Sequence, residues 1–173
     1  MPHRTAAFNL AYWMLGNREE AEDVVQEAYL RGFRAFAGVK GEDIRPWLLM
    51  IVRNAALTAL KSKRRTNTVI LPSEDVWAST GNKAEEVPAT TPTPEALVIA
   101  ESERQQLMAA LAKLPLKYRE VIVLREMEGL SYLEIAETTG TAIGTVMSRL
   151  SRGRAELRRT LELSLHRHEQ NAV

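Results

Sequence analysis

Apolar residues recur at helical spacing in two separate stretches of the chain, residues 6–65 and 95–165. The repeat is clearest in the first stretch, at Ala21, Val24, Val25 and Ala28, and again at Leu48, Ile51, Val52, Ala55 and Ala59. Spacings of three and four residues are typical of amphipathic helices. Since the sequence shows neither an alternating strand pattern nor an internal repeat, it predicts an all-α fold.

Residues 66–94, which lie between the two stretches, have a different character. They are polar, rich in Thr, Ser and Pro, and net acidic. A segment of this composition buries too little apolar surface to offset the entropy that is lost when it becomes ordered. We therefore predict two small helical domains, residues 1–65 and 95–173, joined by a flexible linker.

The C-terminal domain is predicted to contain a helix-turn-helix. Two helices are predicted before it, over residues 96–114 and 115–127. Ser131 begins the next helix, with Glu134 three residues further on, as in a capping box. Gly140 makes the turn, and Thr141 caps a last helix that runs to about residue 165. A short turn with glycine between two such helices is typical of DNA-binding helix-turn-helix units.

Two faces of the last predicted helix have opposite character. The apolar face, which should pack on the preceding helix, consists of Ile143, Val146, Met147 and Leu150. The polar face consists of Thr145, Ser148, Arg149 and Arg152. Arginine reads guanine edges, serine and threonine bind bases or phosphates, and Arg154 beside them can neutralise the DNA backbone. A solvated basic face with ordinary salt bridges is the alternative, but the capped helix and the turn favour duplex DNA.

Two further charged clusters lie in the N-terminal domain. Asp23, Gln26 and Glu27 share one helical face, which indicates a solvated or a protein-docking surface, with acid–base catalysis a distant alternative. A basic cluster ends the third predicted helix and consists of Lys61, Lys63, Arg64 and Arg65. Cations at this position also interact favourably with the helix C-terminus, so the basic cluster alone is weak evidence for DNA binding.

Composition limits the chemistry that the chain can perform. The chain has no cysteine, which excludes disulfides, thiol catalysis and Cys-ligated zinc and fits a reducing cytoplasm. All three histidines lie near the chain ends, and no Gly-rich phosphate loop follows a strand. We therefore expect neither an enzyme nor a metal or cofactor site. No apolar run is long enough for a membrane span, and no signal peptide is expected.

Three motifs, in this order, resemble extracytoplasmic-function sigma factors, the smallest members of the main bacterial sigma family. Residues 21–36, AEDVVQEAYLRGFRAF, are similar to the family's helix that docks on the polymerase clamp. Residues 45–65, RPWLLMIVRNAALTALKSKRR, are similar to its promoter-melting helix. Residues 114–157, with the predicted helix-turn-helix, resemble its C-terminal DNA-binding domain. The joint order and spacing make the resemblance specific.

The resemblance implies a role for each cluster. Contacts with core RNA polymerase are expected at Asp23, Gln26 and Glu27. Contacts with the minus-ten element are expected at Arg53, Asn54, Lys61, Arg64 and Arg65, and the loop over residues 36–44 is expected to capture an unpaired base. Contacts with the minus-thirty-five element are expected at Thr145, Ser148, Arg149, Arg152 and Arg154. The acidic linker is similar to family linkers that thread through the polymerase, and an anti-sigma factor is a further expected partner.

The predicted function is therefore promoter recognition, melting and transcription initiation as a polymerase subunit in the cytoplasm. A sigma-like mimic that sequesters an anti-sigma factor and a stand-alone helix-turn-helix regulator are the alternatives. The chain departs from the family pattern at three places. The family usually has more helix before Ala7, Thr58 stands where Asp is common, and Met147 stands where Lys is common. Met147 is expected to extend the apolar face of its helix, so that this helix packs more firmly.

Overall fold

The computed structural model describes residues 3–36, 43–65 and 94–171. These ranges contain seven α-helices: α1 (Arg4–Leu15), α2 (Arg18–Ala35), α3 (Arg45–Arg65), α4 (Pro94–Lys113), α5 (Leu116–Ile122), α6 (Tyr132–Thr139) and α7 (Ile143–Asn171). They contain no strand, so the all-α prediction is confirmed for the described part of the chain. Residues 66–93 of the predicted linker and residues 37–42 of the predicted base-capturing loop lie outside the described residues.

The ends of α6 follow from local chemistry, as the sequence predicts. The Ser131 hydroxyl accepts from the Glu134 backbone N–H at 3.2 Å, and the Glu134 carboxylate accepts from the Ser131 N–H at 2.6 Å. Gly140 ends the helix in the left-handed conformation, at φ 63°, which costs glycine little. The predicted cap at Thr141 is wrong by one residue, because Ala142 accepts the first hydrogen bond of α7 and the Thr141 hydroxyl pairs with that of Thr139.

The helix predicted over residues 115–127 has two parts. Its first part is α5, and its second part is a π-helical turn, Val123–Met127. In this turn the Glu128 N–H donates to the Val123 carbonyl, five residues back, at 3.1 Å. The sequence pattern missed this turn because a single wide turn leaves the apolar character of the helix unchanged.

The core of the protein joins its two halves, α1–α3 and α4–α7. Helix α1 buries residues on nearly every side, among them Ala7, Leu10 and Trp13. It packs against α2 and α3 on one side and against α5 and the π-helical turn on the other. Buried residues of both halves form one continuous apolar cluster. The two predicted helical units are therefore packed together.

No helix in the described ranges combines the length and the apolar character that a membrane span requires.

Candidate protein and nucleic-acid interfaces

The predicted docking residues lie together on the outer face of α2. Asp23, Gln26 and Glu27 are all exposed, because the opposite face of this helix is buried against α1 and α3. The Arg31 guanidinium donates to the Glu27 carboxylate at 2.6 Å, one helical turn away. Both side chains of that pair are about half exposed, so the pair holds the carboxylate in place without covering it. We call these three residues the docking patch.

An apolar groove of about 760 Å³ lies beside the docking patch. Its lining includes Gln26 of the patch, and also Tyr29, Phe33, Phe36 and Trp47. Phe33 is 88% exposed and Phe36 is 56% exposed, which is unusual for side chains of this size. Exposed apolar surface on this scale marks interaction sites. Sequence reasoning missed the groove, although the two phenylalanines lie off the buried stripe of α2 and could have indicated it.

The residues predicted to contact the minus-ten element divide into two groups on α3. Asn54 and Lys61 are exposed. Arg53 instead faces the other half of the protein, and its guanidinium donates to both carboxylate oxygens of Glu120, at 2.9 and 3.3 Å. The Arg53 side chain is only 14% exposed. The side chains of Arg64 and Arg65, which end this helix, lie outside the described part of the structure.

The predicted DNA-reading face of α7 is divided in the same way. Ser148 and Arg152 are exposed, and Thr145 is half-buried. The Ser148 hydroxyl donates to the Thr145 carbonyl at 3.0 Å. Arg149 turns inward, where its guanidinium lies 3.5 Å from the same Glu120 carboxylate that binds Arg53. Only part of the predicted face is therefore open to a ligand.

Arg154 is exposed, but it is paired within its own half. Its guanidinium lies 2.6 Å from the Glu126 carboxylate, and both side chains are about half exposed. The hydrogen bond to Glu126 is the main cause that raises the pKa of Arg154 above its usual value. Further along α7, Arg159 pairs with Glu156 at 2.7 Å. These two arginines thus form the ordinary salt bridges that the sequence allowed as an alternative.

The expected packing role of Met147 is wrong. Val146 and Leu150 are buried as predicted, but Met147 is 53% exposed and Ile143 is 48% exposed. The buried stripe continues from Leu150 to Gly153, because a Cβ atom there would lie 2.9 Å from Ile122 Cδ1 of α5. Only this narrow stripe of α7 is buried, and Met147 is left exposed beside the predicted DNA-reading face.

Three polar side chains of the C-terminal half also contact the N-terminal half, besides Glu120, and the sequence predicted none of these contacts. Arg119 is almost fully buried, and its guanidinium donates to the carbonyls of Trp13, Ala112 and Leu114 at 2.6–2.9 Å. Burial lowers the pKa of the Arg119 guanidinium. The Glu128 carboxylate accepts from Arg45 at 2.8 Å and from Asn9 at 3.1 Å. The Thr138 hydroxyl donates to the Pro46 carbonyl at 3.3 Å.

Two family models match the chain, one in each half. The model described as sigma-70 region 2 matches residues 1–66, and the model described as sigma-70, region 4 matches residues 104–157. The matched ranges contain the helices that carry the docking patch, Arg53 and the helix-turn-helix. Each half of the chain thus matches one region of the sigma-70 family.

Relatives of known name refine this assignment. The chain is 36% identical to the ECF RNA polymerase sigma factor SigE of Mycolicibacterium smegmatis, over 90% of this chain and 57% of that protein. It is 32% identical to SigW of Bacillus subtilis, over 92% and 84% of the two chains, and 35% identical to the sigma-E factor of Escherichia coli, over 88% and 78%. The chain therefore belongs to the extracytoplasmic-function sigma factors. It spans 57% of the length of SigE.

A solved structure has the same fold. It is the sigma factor RpoE from Bartonella quintana in complex with the anti-sigma factor NepR. The TM-score is 0.63 at 28% sequence identity, and the match covers 92% of this chain and 91% of that one. Helices of both halves are thus part of the common architecture.

Proposed function

We propose that this chain is a promoter-specificity subunit that binds core RNA polymerase and directs it to a set of promoters in the cytoplasm. The observation that carries the proposal is the presence, in one chain, of an exposed protein-docking patch on α2 and a capped helix-turn-helix with an exposed arginine. A repressor requires only the second of these surfaces. The chain supplies recognition and strand opening, and the polymerase supplies all covalent chemistry.

The docking patch and the groove beside it together have the features of a protein interface. Such interfaces combine an apolar, aromatic centre with a polar rim. Phe33 and Phe36 provide the apolar centre, and Asp23, Gln26 and Glu27 provide an acidic rim. We infer that core polymerase presents an apolar and basic surface to this face, because the charges then complement each other and favour correct orientation.

The helix-turn-helix reads the upstream promoter element as a closed duplex. Arg152 and Ser148 project from the exposed face of α7, where an arginine can bind a guanine edge and a hydroxyl can bind a base or a phosphate. Arg154 lies two residues beyond Arg152 on α7 and contacts a backbone phosphate once it leaves Glu126. This face sets the promoter sequence to which the polymerase is directed.

The third helix acts on the downstream element, where the strands separate. Removing a base from the stack costs a few kcal/mol, so a melting surface must bind the extruded strand. Arg53 and Lys61 supply positive charge for its phosphates, and Asn54 supplies an amide for a base edge. We propose that the loop over residues 36–44, which lies between α2 and α3 in the sequence, holds an extruded base.

An anti-sigma factor is the proposed regulatory partner. The solved relative from Bartonella quintana is bound to the anti-sigma factor NepR. The similar fold of this chain supports a partner of the same kind, which would compete with polymerase or with DNA for the surfaces described above.

Transcription with purified core polymerase and a fragmented genomic library tests the proposed function. With this chain present, we expect new start sites that share an upstream and a downstream element. The control is the Arg152→Ala variant, which should bind core polymerase but lose these start sites. If the wild-type chain binds an anti-sigma factor and yields no new start sites, it is a sigma-like mimic. If it binds DNA but does not bind polymerase, it is a stand-alone regulator.

A further inference from the structure

The exposed side of α7 differs from the face that the sequence predicted. The buried stripe of this helix follows Val146, Leu150 and Gly153. Thr145 is half-buried, and Arg149 turns inward. Since each residue advances an α-helix by about 100°, the side opposite Val146 and Gly153 is open to solvent. The exposed residues on that side, in the first turns of α7, are Gly144, Met147, Ser148, Ser151 and Arg152. We call these five residues the open face.

Met147 is the long apolar side chain of the open face. It is 53% exposed. Its neighbours on this face are small, because Gly144 lacks a side chain and Ser148 and Ser151 each carry a single hydroxymethyl group. A surface that approaches the open face therefore meets the thioether of Met147 before it meets these smaller residues.

The position of Met147 in the helix-turn-helix points to the major groove. Met147 lies in the second turn of α7, and the first turns of the second helix of such units contact base edges. Ser148 follows it directly, and Arg152 lies one turn beyond Ser148. Both of these residues donate hydrogen bonds to base edges or phosphates. Under the proposed function, an apolar side chain thus enters the groove beside hydrogen-bonding groups.

The major groove presents one apolar group, which is the C5 methyl of thymine. The other features of the base edges are hydrogen-bond donors and acceptors, and these would lose water without gaining a partner if a methionine covered them. Met147 has no donor, and its sulfur is a weak acceptor. Because the side chain is flexible and polarisable, it can also adjust its shape to a methyl group. Thymine is therefore the base that Met147 fits.

We propose that Met147 is a specificity-determining residue, which contacts the C5 methyl group of one thymine in the minus-thirty-five element. The proposal rests on the proposed function, in which the open face reads this element as a duplex. Met147 adds a preference for thymine at one position, beside the bases that Ser148 and Arg152 bind. A lysine, which is common at this position in the family, would supply charge for a phosphate, and a phosphate contact carries no sequence information directly.

The methyl group can be removed from the DNA without any other change. Deoxyuridine in place of thymidine keeps the base pair and deletes only this group. Random duplexes enriched by the full-length chain, alone and in complex with core polymerase, supply the element. Each thymidine of the element is then replaced in turn, and fluorescence anisotropy measures binding. We expect one position at which the replacement weakens binding about fourfold, which corresponds to the burial of one methyl group.

The decisive variant is Met147→Ala. It should bind the thymidine duplex about fourfold more weakly than the wild type and should no longer distinguish thymidine from deoxyuridine at that position. The matched control is Leu163→Ala, another exposed apolar residue of α7, 60% exposed and about 24 Å further along the helix axis. The control should keep the wild-type preference. If Met147→Ala also keeps that preference at every thymine, or if the enriched element contains no thymine, the assignment is wrong.

A second variant changes the chemistry of the side chain at similar length. Met147→Lys should lose the preference for the methyl group. Its affinity should also fall more steeply with salt than that of the wild type, with a slope steeper by about one, because the ammonium displaces a counterion from the DNA. A truncation that merely disturbed the helix would not produce this salt dependence. A Met147→Lys chain with the wild-type preference would contradict the proposal.

The outcomes separate this assignment from the proposed function. If the chain alone shows a methyl preference that depends on Met147, but directs no new start sites, the assignment stands and the proposed function fails. If new start sites appear and no methyl preference depends on Met147, the assignment fails alone. If Met147→Ala weakens binding to core polymerase and leaves the methyl preference intact, Met147 belongs to a protein interface and the assignment is again wrong. If no duplex is enriched in either condition, both fail.

Discussion

The docking patch and the promoter-binding arginines differ in what surrounds them. Asp23, Gln26 and Glu27 face solvent on α2, with an open apolar groove beside them. Arg53 and Arg149 instead converge on a buried carboxylate between the halves. The proposed protein-binding surface is therefore open to a partner, whereas part of the proposed DNA-binding surface is occupied by an ion pair within the chain.

The largest effect is expected at the docking patch, which is the exposed region of the two. Glu27→Arg reverses a charge in the centre of the docking patch and places it one turn from Arg31. We expect the affinity for core polymerase to fall at least about tenfold, because unlike charges across the interface become like charges. Fluorescence anisotropy with labelled chain measures the affinity. Glu19→Arg, an equal change at an exposed site on the same helix, is the control. Equal losses of affinity for both variants would show that the docking patch is not the site that binds polymerase.

The next effect concerns the buried contact between the two halves, α1–α3 and α4–α7. Arg119→Ala removes a buried guanidinium that donates to three carbonyls, one of them in the other half. We expect the free energy of unfolding to fall by about 2–4 kcal/mol, since the carbonyls lose charged donors in a dry site. Urea denaturation measures this change. Arg119→Lys should recover only part of it, because an ammonium lacks the planar fork that reaches all three. If the free energy of unfolding falls by less than about 1 kcal/mol, the two halves are held together mainly by apolar contacts.

A smaller effect separates the two arginines of the reading face. Arg152→Ala should weaken binding to the minus-thirty-five duplex by about 1–3 kcal/mol, because Arg152 is exposed and ready to bind a base. Arg149→Ala should weaken it less, since the Arg149 side chain is only 24% exposed and its guanidinium lies 3.5 Å from the Glu120 carboxylate. Titration of the free chain against the duplex gives both values. Binding to core polymerase should survive in both variants, and an equal loss of polymerase binding would point to unfolding.

The smallest effect tests an exposed ion pair. Arg154→Ala breaks the contact with Glu126, in which both side chains are about half exposed. We expect the free energy of unfolding to change by less than about 1 kcal/mol, because solvent and salt screen such pairs. Thermal unfolding at low and high salt checks this expectation. If the free energy of unfolding falls as much as in Arg119→Ala, burial does not decide how much an arginine contributes to stability.

Much of the fold could be predicted because its causes are local. Apolar spacing predicted α2 and α3, and the capping box of Ser131 and Glu134 predicted the start of α6. The exposure of the docking patch also followed from spacing, because it lies opposite the buried stripe of α2. These features depend on residues within a turn or two of each other.

The features that the sequence could not predict depend on distant residues. Glu120 and Arg53 are separated by 67 positions, and only the packing of the halves brings them together. Glu120 also stands directly before a run of buried apolar residues, so its charge gave no sign of a partner. Arg149 matched the spacing of a DNA-reading face, and spacing alone does not show that another helix lies beside it. Candidate site residues could therefore be predicted from spacing, but their burial and their ion pairs could not.

The π-helical turn after α5 makes the contacts that follow it depend on the exact number of residues in the turn. A π turn contains one residue more than an α turn, as if a residue had been inserted into the helix. Leu124 inside the turn is fully buried, and Glu128 directly after it binds Arg45 and Asn9 in the other half. Deleting one residue would restore ordinary helical hydrogen bonds but rotate everything after it by about 100°. Such a deletion would keep every side chain that makes a contact. It would nevertheless point Glu128 away from Arg45 and Asn9.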